Sequence, residues 1–138
     1  MKRVFVNGTF DVLHKGHLAL FEFAKSFGDY LLVALDSDER VKLLKGATRP
    51  LNTLDTRLAI INSLKPVDEV TSFNSDLELE AIILNYSPDV MIVGSDWRGK
   101  SVIGSQYANR LVYFERTISA STSAVLDSYC TRLRENYL

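Results

Sequence analysis

Val4-Phe5-Val6-Asn7-Gly8-Thr9-Phe10-Asp11-Val12-Leu13-His14-Lys15-Gly16-His17 runs from an apolar triplet through a polar turn into the start of an amphipathic stretch. Val4-Phe5-Val6 reads as a strand and Asn7-Gly8-Thr9 as the turn that ends it. Residues 15–27 follow with Leu18, Phe21 and Ala24 on one helical face, closed by Gly28. The same order then repeats along the chain. Residues 30–35 (YLLVAL) form a continuous apolar run of the kind buried on both faces of a sheet. Ser37 reads as the N-cap of a short helix through Leu44, and Asn52 or Thr53 as the N-cap of the next, which carries Leu58, Ile61 and Leu64. Residues 67–73 predict a third strand, Ser75 with Glu78 a capping box before a helix, residues 90–93 a central strand and residues 111–114 the last. A final helix after Ser123 carries Val125, Leu126, Tyr129, Cys130 and Leu133 at helical spacing, with Cys130 filling space on its inner face.

Strand and helix alternating in this way predict an α/β domain, a parallel sheet covered on both faces and joined by right-handed crossovers. Ligands in such sheets sit beyond the C-terminal strand ends, where strand order reverses. Three places are therefore candidates for chemistry: the turn after Val6, the loop after Val93 and the segment after Phe114. The 138 residues suit a single domain, with no repeat or linker to divide them. A net charge of −1 excludes a wholesale polyanion binder, so phosphate chemistry must come from a local cluster of donors, and no nucleic acid is expected. The lone cysteine leans toward a reducing compartment. With no apolar run long enough for a membrane span, the expected location is the cytoplasm.

The only two histidines, His14 and His17, stand three positions apart around a glycine where a strand hands over to a helix N-terminus. That end of a helix offers unpaired N–H groups and a partial positive charge, so it attracts phosphate. Gly8 and Gly16 would let backbone or phosphate approach closely. A His-x-x-His pair can also bind zinc, although no third ligand is evident, or it can simply cap a helix. Residues 115–123 (ERTISASTS) place hydroxyls beside an arginine ahead of the last helix, which suits either capping alone or a second phosphate site. Trp97, in Gly94-Ser95-Asp96-Trp97-Arg98-Gly99-Lys100, suits packing or a base platform. Lys42, Lys45, Arg49 and Arg57 form a basic run that by itself reads as a solvated face.

Gly-Thr-Phe-Asp followed by His-x-Gly-His resembles the signature of the cytidylyltransferase-like nucleotidyltransferase superfamily, and the resemblance covers nearly the entire chain. It implies a Rossmann-like three-layer sandwich with a five-stranded parallel sheet. It also implies direct in-line transfer of a nucleotidyl group, with no covalent enzyme intermediate. His14, His17, Lys45 and Arg116 are then the catalytic donors. Gly8, Thr9, Phe10, Asp96, Thr117, Ser121 and Thr122 join the histidines and Arg116 around the nucleotide. Asp11, Lys45, Arg57 and Trp97 serve the substrates, with Arg57 on the acceptor phosphate. The Trp97 and Arg116 segments are similar to the glycerol-phosphate cytidylyltransferase branch, with Ser95 where that branch has aspartate and Ser119-Ala120 where it has glycine and isoleucine nearby. Residues 44–52 (LKGATRPLN) look more like the adenylyltransferase branch that activates heptose 1-phosphate. The first expectation is CTP with a small phosphorylated polyol such as glycerol 3-phosphate. The second is ATP with a sugar 1-phosphate. A non-catalytic nucleotide-binding module is the reading from another class. Mg²⁺ is expected to arrive with the nucleoside triphosphate, no protein metal site is expected, and family members are commonly homodimers.

Overall fold

A computed structural model describes residues 1–115 and 122–137. Five strands, β1 (Arg3–Gly8), β2 (Tyr30–Asp36), β3 (Glu69–Phe73), β4 (Val90–Gly94) and β5 (Arg110–Phe114), form one parallel sheet in the order β3-β2-β1-β4-β5. Helices α1 (Lys15–Lys25), α2 (Asp38–Lys45), α3 (Leu54–Asn62), α4 (Asp76–Tyr86) and α5 (Thr122–Tyr137) complete the domain. The Rossmann-like expectation is met.

The two-residue period of a strand explains the layering. Val4, Val6, Leu31, Val33, Leu35, Val90 and Ile92 face one way, onto Phe21 and Ala24 of α1 and Ile61 of α3. Phe5, Leu32, Ala34 and Met91 face the other way, onto Leu79 and Ile83 of α4. The uninterrupted apolar runs of β1, β2 and β4 are those buried on both faces.

Local chemistry sets the helix ends. Ser37 Oγ accepts from the Arg40 N–H at 3.2 Å, and Thr53 Oγ1, not Asn52, accepts from the Thr56 N–H at 3.4 Å. Ser75 Oγ accepts from the Glu78 N–H, but the Glu78 carboxylate returns to the Asn74 N–H, one residue earlier than the predicted box. The first helix ends at Lys25 with Ser26 as its C-cap, two residues short of the predicted limit. Gly28 lies in the exit, where a Cβ would stand 2.7 Å from the Lys2 carbonyl oxygen and 2.7 Å from Val4 Cγ2. Gly28→Ala should therefore lower unfolding stability by about 1–3 kcal/mol, as read from the urea midpoint.

The last helix differs from its expected role. Cys130 is exposed, as are Tyr129 and Leu133, and none of the described side chains of α5 is buried. Helical spacing reports a stripe that avoids water, but it does not say which surface covers that stripe. Among the described residues no helix is long and apolar enough to cross a membrane.

One feature of the sheet positions the site. β1 pairs with β2 through six residues, from Arg3–Tyr30 to Gly8–Leu35. β1 pairs with β4 only at Val4–Val90 and Phe5–Met91. The strand order reverses at that junction, and the two strands part there toward their C-terminal ends.

Candidate active site

A cleft of about 840 Å³ opens over the parted strand ends. Its wall includes Gly8, Thr9, Phe10 and Asp11 after β1, His14 and His17 on α1, Lys45 on α2, and Asp96 and Trp97 after β4. The structure thus brings together most of the residues singled out by sequence. Arg116, Thr117 and Ser121 lie outside the described residues, and of Thr122 only the helical backbone is described.

The histidines are fixed by the helix they begin. His14 is the N-cap of α1, and its Nδ1 accepts from the Gly16 N–H at 3.1 Å. His17 Nδ1 accepts from the His14 N–H at 3.2 Å, closing a capping box made of two imidazoles. The rings stack with centroids 4.0 Å apart and an interplanar angle of 29°. An Nδ1 that accepts carries no proton, so each neutral ring holds its proton on Nε2, on the side away from the helix backbone. The pair is a set of two N–H donors at the positive end of a helix.

Phe10 holds this arrangement from behind. Its φ of 51° is unusual for an aromatic residue. That conformation turns the ring under His17, edge-on with centroids 5.6 Å apart, and against Phe21 at 5.0 Å. Gly8, which lines the cleft, has a further use. A Cβ there would stand 2.8 Å from Phe10 Cζ, so the missing side chain makes room for the Phe10 ring.

One basic expectation needs correction. Arg57 does not face the cleft: its side chain is 0% exposed. Nε donates to Asn52 O, one terminal nitrogen donates to both Thr9 O and Asp36 O, and the other pairs with Asp38 at 2.8 Å. A guanidinium so committed cannot hold an acceptor phosphate. It ties the ends of β1 and β2 to the start of α3. Burial alone would raise the Asp38 carboxyl, but Arg57 and the Leu54 N–H outweigh it and hold it below the usual carboxylate range. Asp11 lines the cleft, yet its two oxygens accept from the Leu51 and Asn52 N–H groups, both at 2.8 Å. The carboxylate thereby docks the loop between α2 and α3 onto the β1 turn.

Residues 5–125 match the family described as Cytidylyltransferase-like. The chain belongs to that family. Among its relatives are the bifunctional protein HldE of Helicobacter hepaticus and that of Sulfurimonas denitrificans, each 42% identical, over 127 and 125 residues. The matches cover 92% and 91% of this chain but 26% of each relative, so the chain spans about a quarter of their length. Among solved structures, a lipopolysaccharide core biosynthesis protein from Thermoplasma volcanium superposes with a TM-score of 0.68 at 24% identity, over 86% of this chain and 99% of that one. A pantothenate synthetase from Thermus thermophilus gives 0.58 at 14% identity, over 83% and 56%. These two likenesses concern the fold.

In this cytidylyltransferase-like cleft the structure adds residues that sequence reasoning passed over. Asp36, at the end of β2, is 8% exposed; its Oδ1 accepts from Arg40 Nε at 2.8 Å and its Oδ2 from the Thr9 hydroxyl at 3.3 Å. Arg40 also reaches Asp76 at 2.6 Å. The signal was present, since a carboxylate closing an apolar strand obeys the same strand-end rule as the other loops. Asp96 folds back over its own strand, with an oxygen 2.5 Å from where a Gly94 Cβ would sit. Among the described residues no group of three or more His, Cys, Asp or Glu is arranged to hold a metal ion.

Proposed function

We propose that this chain is a nucleotidyltransferase domain that moves AMP from ATP to a sugar 1-phosphate and releases pyrophosphate. The paired imidazoles, aimed by their own helix caps into a cleft at the strand-order reversal, are the observation that carries the reaction class. An oxygen of the acceptor phosphate forms a bond to the α-phosphorus as the bond from that phosphorus to the bridging oxygen breaks. The electron pair leaves with pyrophosphate. No protein nucleophile is needed, so catalysis is positioning and charge stabilisation by His14, His17 and Lys45, with Arg116 as the further donor. Mg²⁺ enters with the triphosphate as part of the substrate.

The choice of ATP and a sugar phosphate displaces the CTP and glycerol 3-phosphate reading that the Trp97 segment favours. Two observations support it together. The relatives at 42% identity are HldE proteins, and the match spans nearly all of this chain. The LKGATRPLN stretch, which resembles the heptose 1-phosphate adenylyltransferase branch, contributes Leu44, Lys45 and Arg49 to the cleft wall. A homodimer belongs to the same proposal, supported by the uncovered Tyr129 and Leu133 of α5, and so does a cytoplasmic setting.

The assay measures pyrophosphate release with ATP or CTP, each against heptose 1-phosphate and glycerol 3-phosphate. Turnover is expected with ATP and heptose 1-phosphate at least roughly tenfold above the other pairs, the factor that about 1.4 kcal/mol of discrimination gives. A preference for CTP with glycerol 3-phosphate would return the protein to the other branch.

A further inference from the structure

We infer that Arg49, on the loop between α2 and α3, is the residue that grips the attacking phosphate of the acceptor, with Asp11 set beside it as a counter-charge. The inference rests on the nucleotidyl-transfer reading above. Its starting point is the task that Arg57 cannot perform, since that guanidinium is wholly spent on carbonyls and Asp38.

Arg49 lines the cleft with its side chain 18% exposed. Its Nε is buried and, among the described residues, has no hydrogen-bond partner. The nearest charge is Asp11 Oδ2 at 3.5 Å, an oxygen already accepting from the Leu51 N–H. A buried guanidinium N–H without a hydrogen-bond partner, on a side chain that otherwise reaches the cleft, favours an anion beside it.

Position decides which anion. The imidazole pair lies at the start of α1, and Asp96 and Trp97 follow β4, so the nucleotide occupies the β1–β4 side. Arg49 belongs to the β2 side, with Asp36, Arg40 and Lys45. Arg40 there is held between Asp36 and Asp76. Lys45 is an exposed point charge at the end of α2. Arg49 differs from both: it is a guanidinium whose buried Nε has no hydrogen-bond partner among the described residues and whose nearest charge is Asp11 at 3.5 Å. A guanidinium engages two oxygens of a phosphate monoester at once and leaves the third free to attack the α-phosphorus. Asp36 and Thr9, deeper on the same side, suit the hydroxyls of a polyhydroxylated acceptor.

The test compares wild type with R49K and R49Q in steady-state pyrophosphate release from ATP and heptose 1-phosphate, with thermal melts to establish folding. The KM for the acceptor is expected to rise roughly 10- to 100-fold in both variants while the KM for ATP stays within about twofold. An unchanged acceptor KM, or a rise confined to ATP, overturns the assignment. If wild type releases no pyrophosphate, the function reading fails by itself and the contact is tested by binding. Inorganic phosphate is then titrated into protein saturated with a non-hydrolysable ATP analogue, followed by the fluorescence of Trp97, the single tryptophan. Binding at least roughly tenfold weaker in R49Q supports the contact, whereas equal binding, or none to wild type, overturns it. Should both variants unfold, phosphate protection of Arg49 against phenylglyoxal in the wild-type protein gives the same reading, and absence of protection refutes it.

Discussion

Replacing His17 or His14 by alanine is expected to slow pyrophosphate release by about 10²- to 10⁴-fold, the usual cost of losing a donor aimed at developing charge. The same substitutions also remove half of a capping box, which costs about 0.5–2 kcal/mol of stability. Fold and chemistry are therefore entangled at these positions, and His14→Asn separates them. Asparagine is a good N-cap, so α1 should remain intact in that variant. Its amide cannot put a donor where the imidazole Nε2 stands, so the rate should still fall by at least about 10²-fold. Turnover within a few-fold of wild type in either alanine variant, measured at saturating ATP and acceptor, would remove the histidines from the mechanism.

Arg57 should show the opposite pattern, a stability effect larger than any effect on acceptor affinity. Arg57→Ala strands the carbonyls of Thr9, Asp36 and Asn52 and leaves Asp38 without its partner. Stranding buried carbonyls costs about 1–3 kcal/mol each, and the partly exposed Asp38 adds less, so the total is a large part of the stability of a domain this size. Arg57→Lys should rescue only part of it, because one ammonium cannot reach four acceptors on different segments. The effect has a pH signature. Asp38 is held below its ordinary value of 3.8, so its contribution is complete above about pH 5 and is lost as pH falls through the folded value. Wild type should therefore shed more stability than the variant on acidification below about pH 4, in urea titrations at each pH. A variant with normal urea midpoint and a raised acceptor KM would restore Arg57 to the substrate.

The elements were legible because their signals are local. Ser37, Thr53 and Ser75 cap the helices that their spacing predicts, and the apolar runs of β1, β2 and β4 announce a sheet buried on both faces. The histidine turn was legible for the same reason: both rings bond to backbone within three residues. What sequence could not supply was the partner across the fold. Arg57 in a basic run looks like a phosphate ligand until β1, β2 and α3 converge on it. Arg49, eight residues earlier in the same run, looks like a solvated charge until Asp11 is found beside it. Charge spacing identifies cations, but only tertiary packing decides which of them are already spent.

The parting of β1 from β4 bears on how such a cleft changes its customers. With only two paired residues at their base, the strands leave the β3-β2-β1 half and the β4-β5 half to carry separate tasks. The stretch resembling heptose 1-phosphate adenylyltransferases lies wholly on the first half, and the Trp97 segment resembling glycerol-phosphate enzymes lies wholly on the second. The chain's mixed likeness is then no contradiction. If the proposed function holds, a sheet divided in this way is modular at its centre, so one recognition surface can diverge while the histidines between them keep the same reaction.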